Sequence, residues 1–456
     1  MSARLFGTDG IRGKAGDGPL REDRVSALGR AIGTVLKGRA RDPVALLGND
    51  GRRSGPWIEA ALARGLAAAG FSVRTAGLVT TPGLAWIGRD LGVRATVMVS
   101  ASHNPASDNG IKVFGPRGAK LTNEQELEIE ADLAKHPAPV ESGPSAEHDP
   151  DLELRYQAHL LRSAGALNLT GLHVVIDCAN GGGSRVAPRV FARLGARVTT
   201  VAASPDGENI NADCGSTHPE ALQSEVRSVG AHLGIALDGD GDRCLFVDER
   251  GRLVDGDALL VALARDLFER KKLAHDRIVA TVMSNRGLHL ALARHGISVE
   301  TVPVGDKHVV EALRAQELSL GGEQSGHIVF GGGDALIGDG VVTALRMLEC
   351  LVRRKGPFSA LVAEFKSLPQ VLLNVAVSEK PPLDDIAGLT DLVQRHEREL
   401  GESGRVLLRY SGTESLARVM VEGPDEKDIA ARAQAIAAHL TRAIGRDRAG
   451  AEGGAR

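Results

Sequence analysis

The stretch HVVIDCANGGGS, residues 173–184, sets out the pattern that decides the fold, since an apolar strand there runs into a turn rich in Asn and Gly. An Ala- and Val-containing helical segment follows, and then the strand-like GARVTT at 195–200. The other two copies are PVALLGNDGRRSG (43–55) with GFSVRT (70–75) and RIVATVMSNRG (277–287) with GISVET (296–301). Strand, turn, helix and strand in this order form a βαβ unit. The sequence therefore predicts three related mixed α/β domains.

Each copy is followed by one more strand that leads into a polar loop. The three strand-and-loop segments are VMVSASHNP (97–105), LGIALDGDGDR (233–243) and LSLGGEQSGH (318–327). Apolar strands that alternate with helices indicate a parallel sheet covered on both faces, in which ligand loops gather at the carboxyl ends of the strands. We therefore expect the functional groups on these three loops.

The last segment of the chain repeats neither the pattern nor the composition, so it predicts a smaller α+β domain of its own. Its final helix carries one apolar stripe, formed by Ile429, Ala433, Ile436 and Leu440. A chain of 456 residues also exceeds the size of a single core. The predicted domains, arranged around a central cleft, are 1–165, 166–255, 256–367 and 368–456.

Composition excludes several classes of function. The net charge is −3 and aromatic residues make up 3%, so the chain lacks the basic surface and stacking side chains that nucleic-acid binding needs. Four widely spaced cysteines are too few for a disulfide framework in a chain of this length. Neither an N-terminal leader nor an apolar run long enough for a membrane span is present in the sequence. We expect a cytoplasmic protein that binds no nucleic acid and no membrane.

Three carboxylates stand at alternate positions in Asp238-Gly239-Asp240-Gly241-Asp242-Arg243, directly after an apolar strand. Carboxylates so close repel one another and raise each other's pKa unless a cation lies between them. An oxygen-preferring ion such as Mg²⁺ suits the cluster, and a solvated acidic turn is the alternative. An EF-hand is rejected because Arg243 stands where that loop needs glycine and because a strand leads in. The sequence predicts a metal site at Asp238, Asp240 and Asp242.

The loop SASHNP at 100–105 exposes Ser102 at the end of a strand, and Lys112 follows shortly after. Ser102 is a candidate nucleophile. The alternative is an ordinary turn, because adjacent Ser and His residues do not orient each other as nucleophile and base.

The loop GGEQSGH at 321–327 offers a carboxylate, a hydroxyl and an imidazole, from Glu323, Ser325 and His327. Groups of this kind bind sugar hydroxyls and exchange protons with them. A glycine-rich surface turn whose polar groups face water is the alternative.

The stretch RYSGTES at 409–415, with Arg418 beyond it, has the composition of an anion site. Arginine binds two phosphate oxygens at once and backbone amides beside glycine can bind a third, whereas a solvated turn has little need of two arginines. Two weaker basic stretches, FGTDGIRG at 6–13 and DGRRS at 50–54, decide nothing by themselves.

Taken together and in this order, the loops resemble the α-D-phosphohexomutase family over nearly the whole chain. The motifs are FGTDGIRG (6–13), SASHNP (100–105), DGDGDR (238–243), GGEQSGH (321–327) and the RxSGTE element (409–414). NINADCGSTHPEAL at 209–222 is similar to the branch that acts on glucosamine phosphates. Tyr410 and Ser415 depart from the family pattern, which usually has proline there. The family's three related domains and distinct fourth domain agree with the threefold repeat.

The resemblance implies that Ser102 carries the phosphate and that Asp238, Asp240 and Asp242 hold Mg²⁺ together with an oxygen of the phosphoserine. It further implies that Arg12 and Arg243 steady the phosphoserine and that Lys112 and His327 transfer protons. The implied substrate-binding residues are Glu323 and Ser325 for the sugar hydroxyls, and Arg409, Ser411, Gly412, Thr413 and Arg418 for the phosphate that is not transferred. Ser102 is thus expected to lie beside the three aspartates.

The implied reaction converts glucosamine 6-phosphate to glucosamine 1-phosphate through a hexosamine 1,6-bisphosphate, which also primes the enzyme. A homodimer is an expectation of the family only. One rival is a mutase of the same family that acts on glucose or mannose phosphates. A second is a metal-dependent phosphatase that uses Ser102, although such an enzyme has no use for a second phosphate site. The third is a sugar-phosphate binder without catalysis.

Overall fold

A computed structural model describes residues 4–7, 9–332, 336–411 and 414–445. The chain divides into two compact units, residues 1–283 with 297–364 and residues 284–296 with 365–456. The first unit holds three mixed sheets and the second holds one antiparallel sheet. The predicted fold class, three α/β domains and a smaller α+β domain, is confirmed. The boundaries at 165, 255 and 367 stay predictions.

The first sheet has the strand order β1-β5-β4-β2-β3-β6. Its elements are β1 (Ile11–Lys14), α1 (Glu22–Lys37), β2 (Val44–Asn49), α2 (Gly55–Ala68), β3 (Ser72–Leu78), α3 (Thr81–Asp90), β4 (Ala95–Val99), β5 (Asp108–Phe114), α4 (Asn123–Lys135), β6 (Glu147–His148) and α5 (Asp151–Ala164). Strand β4 is buried at every position, because it lies in the middle of the sheet. Apolar residues of α1, α2 and α4 share one core with β2, β4 and β5.

The second sheet has the order β11-β10-β9-β7-β8 and the third has the order β13-β12-β14-β15. The second set of elements is β7 (His173–Asp177), α6 (Gly183–Arg193), β8 (Arg197–Val201), α7 (Glu220–Ser228), β9 (Leu233–Leu237), β10 (Cys244–Asp248) and β11 (Leu253–Val254). The third is α8 (Gly256–Glu269), β12 (Arg277–Thr281), α9 (Arg286–Ala293), β13 (Ser298–Val302), α10 (Asp306–Ala315), β14 (Leu320–Gly322), β15 (Ile328–Phe330), α11 (Gly340–Arg354) and α12 (Phe358–Leu361).

The strands of the three sequence repeats pair in parallel, as predicted: β2 with β3, β7 with β8 and β12 with β13. Each sheet also contains an antiparallel hairpin, β4 with β5, β9 with β10 and β14 with β15, so the sheets are not purely parallel. Two consecutive strands are antiparallel when a short loop joins them and parallel when a crossover connection joins them. The apolar pattern of a strand does not report its direction, so periodicity missed these hairpins. The three polar loops are the connections of the three hairpins.

The second unit contains β16 (Gln370–Ala376), α13 (Leu389–Leu400), β17 (Arg405–Tyr410), β18 (Leu416–Glu422) and α14 (Glu426–Ile444). The predicted stripe on α14 is confirmed, since Ile429, Ala433, Ile436 and Leu440 are all buried. Helix α9, the helix of the third repeat, also belongs to this unit. Buried Glu422 accepts hydrogen bonds from Asn285 Nδ2 (3.2 Å) and Arg286 N (3.2 Å) at the start of α9. The third repeat therefore keeps its strands in one unit and its helix in the other.

Two further features concern the cysteines and the hydropathy of the helices. All four cysteines are buried and none forms a disulfide. None of the described helices combines the length and the hydropathy that crossing a bilayer requires.

Glu59 on α2 predicts a pH-dependent stability. Its carboxylate is buried and accepts hydrogen bonds from Asn49 Nδ2 (2.9 Å) and Thr75 Oγ1 (3.0 Å). Burial outweighs these bonds and raises the pKa of Glu59 to about 7, from an ordinary value of 4.5. The folded state then binds more protons than the unfolded state between these two pH values. Stability is therefore lost as pH rises from 4.5 towards 7, by up to about 3 kcal/mol, and this contribution is constant above pH 7.

Glu59→Gln keeps both hydrogen-bonded contacts without a charge, so we expect it to stabilise the protein more at pH 8 than at pH 5. Differential scanning calorimetry at the two pH values measures the effect. Glu128→Gln, at an exposed position on α4, is the control and should show no such difference. An equal shift for Glu59→Gln at both pH values would contradict the prediction.

Candidate active site

The three hairpin loops meet in the first unit. Ser102 Oγ donates to Asp238 Oδ2 at 2.8 Å, which joins the first loop to the second. His327 Nδ1 lies 3.7 Å from Asp242 Oδ1, which joins the third loop to the second. A cavity of about 480 Å³ is lined by residues of all three loops. The structure thus places the hydroxyl of Ser102 in contact with Asp238, one of the three aspartates.

Ser102 is held in an unusual backbone conformation. Its φ of 53° lies in the left-handed region, which non-glycine residues seldom adopt and which often marks functional turns. Its amide donates to Ser100 Oγ at 2.8 Å, and its hydroxyl also lies 3.3 Å from His103 Nδ1. Burial and the charges of Arg243 and Arg12 lower the pKa of His103 to about 4, so this imidazole is neutral at pH 7. The arrangement presents one hydroxyl to the aspartate cluster.

Asp238, Asp240 and Asp242 form a cluster that fits a divalent cation. All three are buried, and one oxygen from each lies within 4.8 Å of the others. Asp240 Oδ1 and Asp242 Oδ1 are buried without a hydrogen-bond partner in the described part of the chain. Burial and the charges of Asp242 and Asp240 raise the pKa of Asp238 well above its usual value. Unpartnered carboxylate oxygens so close together are the donor set that Mg²⁺ prefers.

Lys112 lies against the same cluster. Its Nζ is 2.8 Å from both Asp240 Oδ2 and Asp9 Oδ2, and 3.5 Å from Asp242 Oδ2. Burial opposes its charge, but the three carboxylates outweigh burial and raise the pKa of Lys112 well above its usual value. Lys112 is therefore an ammonium group that partly neutralises the aspartates.

Two arginines lie at the mouth of the site. Arg12 donates from Nη2 to Asp9 Oδ2 (2.9 Å) and from Nη1 to the carbonyl oxygen of Ala101 (3.4 Å). The amide of Arg243 donates to Asp238 Oδ1 at 3.1 Å. Arg243 Nε is buried without a hydrogen-bond partner among the residues that the structure describes. Both side chains line the cavity beside Ser102 and are able to bind a phosphate there.

The third loop places Glu323 and His327 on the cavity wall. Burial opposes protonation of His327, but Asp242, Asp306 and Glu323 raise its pKa to about 9. Glu323 Oε1 accepts from the amide of Gly305 at 3.1 Å. Ser325 is not among the residues that line this cavity, and its Oγ is buried without a partner within the described ranges.

Lys120 and Asp306 are site residues that sequence reasoning missed. Lys120 Nζ lies 2.8 Å from Asp9 Oδ1 and forms a close ion pair with Asp306, whose Oδ2 is 3.9 Å from His327 Nε2. With Lys112 and Asp242 these groups form a series of ion pairs in which positive and negative side chains alternate. Asp306 follows Gly305 at the start of α10, which is a pattern too common to single out.

The basic loop of the last domain lies in the second unit. Arg409 of β17 stands directly opposite Arg418 of β18. Burial and this neighbouring charge lower the pKa of Arg409 below its usual value. Ser411 Oγ accepts from the amide of Glu414 at 3.2 Å. Gly412 and Thr413, the other predicted clamp residues, lie outside the described residues. Two facing guanidinium groups are the arrangement expected of an anion site.

Comparison with known proteins assigns most of the chain to one class. The chain matches four domain families of the phosphoglucomutases and phosphomannomutases: alpha/beta/alpha domain I at residues 3–139, domain II at 155–251, domain III at 255–368 and the C-terminal domain at 372–439. The chain therefore belongs to the phosphohexomutase family, and it is an isomerase of that superfamily.

The curated relatives and the solved structures give the same result. The phosphoglucosamine mutase of Koribacter versatilis (strain Ellin345) is 46% identical over 97% of each chain. A phosphoglucomutase/phosphomannomutase family protein of Burkholderia thailandensis is similar with a TM-score of 0.78 and 26% identity, over 98% of this chain and 100% of the other. The N-acetylphosphoglucosamine mutase of Aspergillus fumigatus, solved with GlcNAc-6P and magnesium, shares the fold with a TM-score of 0.66, 20% identity and 96% coverage of both chains.

Proposed function

We propose that this chain interconverts glucosamine 6-phosphate and glucosamine 1-phosphate through a phosphorylated Ser102. The observation that carries the proposal is the 2.8 Å contact of Ser102 Oγ with Asp238, within a cluster of three buried carboxylates. A hydroxyl in this position can receive a phosphoryl group and return it. The identity of about 46% to a curated phosphoglucosamine mutase over nearly the full chain supports the amino sugar.

The proposed cofactor is Mg²⁺, held by Asp238, Asp240 and Asp242 with an oxygen of the phosphoserine. When bound, the ion neutralises charge on the transferred phosphoryl group. The arginine side chains of Arg12 and Arg243 bind the remaining phosphate oxygens. A hexosamine 1,6-bisphosphate is the proposed intermediate and primer.

His327 is a proposed proton-transfer residue. When the phosphoryl group passes from Ser102 to the sugar, the attacking sugar hydroxyl loses a proton and Ser102 Oγ gains one, so a proton donor is needed at the oxygen that leaves. Its Nδ1 faces Asp242, while Nε2 is buried without a hydrogen-bond partner in the described residues. Because its pKa is about 9, His327 carries a proton at neutral pH and can give it up from Nε2. Lys112 balances the charge of the aspartates and is the second candidate for proton transfer. Glu323 and Ser325 are the proposed ligands of the sugar hydroxyls.

The proposed site for the phosphate that is not transferred consists of Arg409, Ser411, Gly412, Thr413 and Arg418. Binding of this distant phosphate can supply energy that orients the reacting hydroxyl. A phosphatase has no need of such a second site, so these residues favour a mutase. A cytoplasmic location and a homodimer stay predictions.

The substrate preference is tested by comparing glucosamine 6-phosphate, glucose 6-phosphate and mannose 6-phosphate, each with its 1,6-bisphosphate present. We expect kcat/KM to be at least about tenfold higher for glucosamine 6-phosphate, because a site that hydrogen-bonds a substituent of its substrate discriminates against sugars that lack it. Similar kcat/KM on glucose 6-phosphate would instead favour a mutase with a different substrate. Release of inorganic phosphate at the rate of turnover would favour a phosphatase.

A further inference from the structure

The loop that carries Ser102 is held from two sides at the same two atoms. The carbonyl oxygens of Ser102 and Asn104 both accept hydrogen bonds from Arg52 Nη2, each at 2.9 Å. The same two oxygens accept from Asn211 Nδ2, at 2.9 and 3.1 Å. Arg52 and Asn211 belong to DGRRS and NINADCGSTH, two sequence stretches that contribute no residue to the proposed catalytic or substrate-binding groups.

Arg52 holds the loop from the side of the first sheet. Its side chain is fully buried, and its Nη1 also donates to the carbonyl oxygens of Asp108 (3.0 Å) and Pro105. Nε is fixed by Asp50 Oδ2 at 2.9 Å. That oxygen also accepts from Ser100 Oγ (2.6 Å), the hydroxyl that receives the amide of Ser102. The peptide groups on both sides of the Ser102 side chain are therefore fixed by one buried ion pair.

Asn211 holds the loop from the side of the second sheet, which also carries the aspartate loop. It lies in the connection between β8 and α7 with a φ of 57°, and its amide donates to the carbonyl oxygen of Ala179 at 3.0 Å. The carboxylate of Asp177, at the end of β7, accepts from the backbone amides of Ala179 (2.9 Å) and Gly215 (2.8 Å). The backbone of Asn211 is thus hydrogen-bonded to the loop after β7, in the same sheet that carries Asp238.

The aspartate loop packs closely against the serine loop and Asn211. A Cβ atom added at Gly239 would lie 2.6 Å from the carbonyl oxygen of Ser102 and 2.8 Å from Asn211 Nδ2. Glycine is therefore required at 239 so that the aspartate loop, the serine loop and the asparagine can approach one another this closely. Three segments from two sheets contact one another around a single carbonyl oxygen.

We propose that Asn211 is a positioning residue. Together with Arg52, it holds the Ser102 hydroxyl in contact with the aspartate cluster for phosphoryl transfer. The inference rests on the proposed function. In that reaction the sugar presents its 1-hydroxyl to Ser102 in one transfer and its 6-phosphate in the other. The serine and the metal site must therefore keep the same position for both transfers. A nucleophile displaced by about 1 Å can lose roughly 100-fold in rate. Hydrogen bonds from two sheets to the same two carbonyls restrict such a displacement.

Asn211→Asp and Asn209→Asp provide a matched pair. The first replaces an amide that donates to two carbonyls of the serine loop, and the carboxylate left in its place repels them. The second removes a similar donor, Asn209 Nδ2 to the carbonyl oxygen of Ser204 (3.0 Å), which stays within its own loop. We expect Asn211→Asp to lower the rate constant of transfer from phospho-Ser102 to glucosamine 6-phosphate by about 10- to 100-fold, with KM changed less than about twofold. Asn209→Asp should stay within about threefold of wild type.

The measurement is a rapid-quench single turnover, in which intact-mass spectrometry follows the loss of the phosphoryl group from Ser102. A merely structural role would lower the fraction of enzyme that reacts and leave its rate constant unchanged, so the rate and the amplitude are measured separately. Arg52→Lys, whose ammonium group cannot replace the whole guanidinium fork, is a second variant and should also slow transfer. Equal rate constants for Asn211→Asp and wild type would overturn the inference while the proposed function stands. If the wild type transfers no phosphate to glucosamine 6-phosphate, both the inference and the proposed function are contradicted.

Discussion

Ser102→Ala is expected to abolish turnover of glucosamine 6-phosphate, lowering kcat by at least about 10³-fold. The reason is that Ser102 supplies the one hydroxyl among the described residues that line the cavity, and this hydroxyl donates to Asp238 at 2.8 Å. Without it, no covalent route connects the two phosphate positions of the sugar. Formation of glucosamine 1-phosphate, measured with the 1,6-bisphosphate present, checks the result.

The control is Ser107→Ala, in the same loop but with an exposed side chain, which should retain near-wild-type activity. Ser102 Oγ makes few contacts, so Ser102→Ala should melt within a few degrees of wild type, and calorimetry separates loss of chemistry from loss of fold. Incubation with the bisphosphate should add one phosphoryl group to wild type and to Ser107→Ala, and none to Ser102→Ala. Full turnover by Ser102→Ala would remove the carrier role and with it the proposed mechanism.

Asp240→Asn is expected to remove divalent-cation binding and to lower kcat by at least about 100-fold, a loss that even the supporting residues of metal sites can reach. Asp240 Oδ1 is buried without a hydrogen-bond partner in the described part of the chain, and Oδ2 receives Lys112 Nζ at 2.8 Å. Asparagine keeps the shape of the side chain but turns one of the anionic oxygens into an amide. Lys112 then remains in a site with less negative charge, which further disfavours a cation.

Isothermal titration with Mg²⁺ measures the binding directly, and a thermal scan measures its effect on stability. A cation at 100 times its dissociation constant should stabilise wild type by about 2.7 kcal/mol, and chelation by EDTA should reverse the effect. Asp248→Asn is the control, because this buried carboxylate pairs with Arg252 (2.7 Å) away from the cluster. Asp248→Asn should leave the metal affinity unchanged, because Asp248 is not part of the cluster. Undiminished binding by Asp240→Asn would contradict the prediction.

The chemistry of the site could be read from the sequence because each motif is local. DGDGDR brings three carboxylates together within five residues, and SASHNP and GGEQSGH each place their polar groups on one turn. Such short stretches keep the same neighbours in any fold that contains them. The parallel pairs β2 with β3, β7 with β8 and β12 with β13 were also accessible, because apolar runs that alternate with helices encode βαβ units.

The antiparallel hairpins and the helix α9 were not accessible in this way. Strand direction and the assignment of a helix to one unit or the other depend on contacts between distant parts of the chain. The contact of Glu422 with Asn285 and Arg286, which joins α9 to the second unit, spans more than a hundred residues. The hydrophobic pattern of neither α9 nor β18 indicates this contact.

The sequence by itself determined the kinds of groups in this protein: a serine, three aspartates, a histidine and arginines, on loops that follow apolar strands. Only the tertiary structure decided which of them act together. Lys120 reaches Asp306, and Arg52 and Asn211 reach the same two carbonyl oxygens, across separations of 50 to 186 positions in the chain. Hydrogen bonds and ion pairs act over a few ångströms of space, and the folded chain brings such residues within that range, whereas sequence patterns describe only neighbours along the chain.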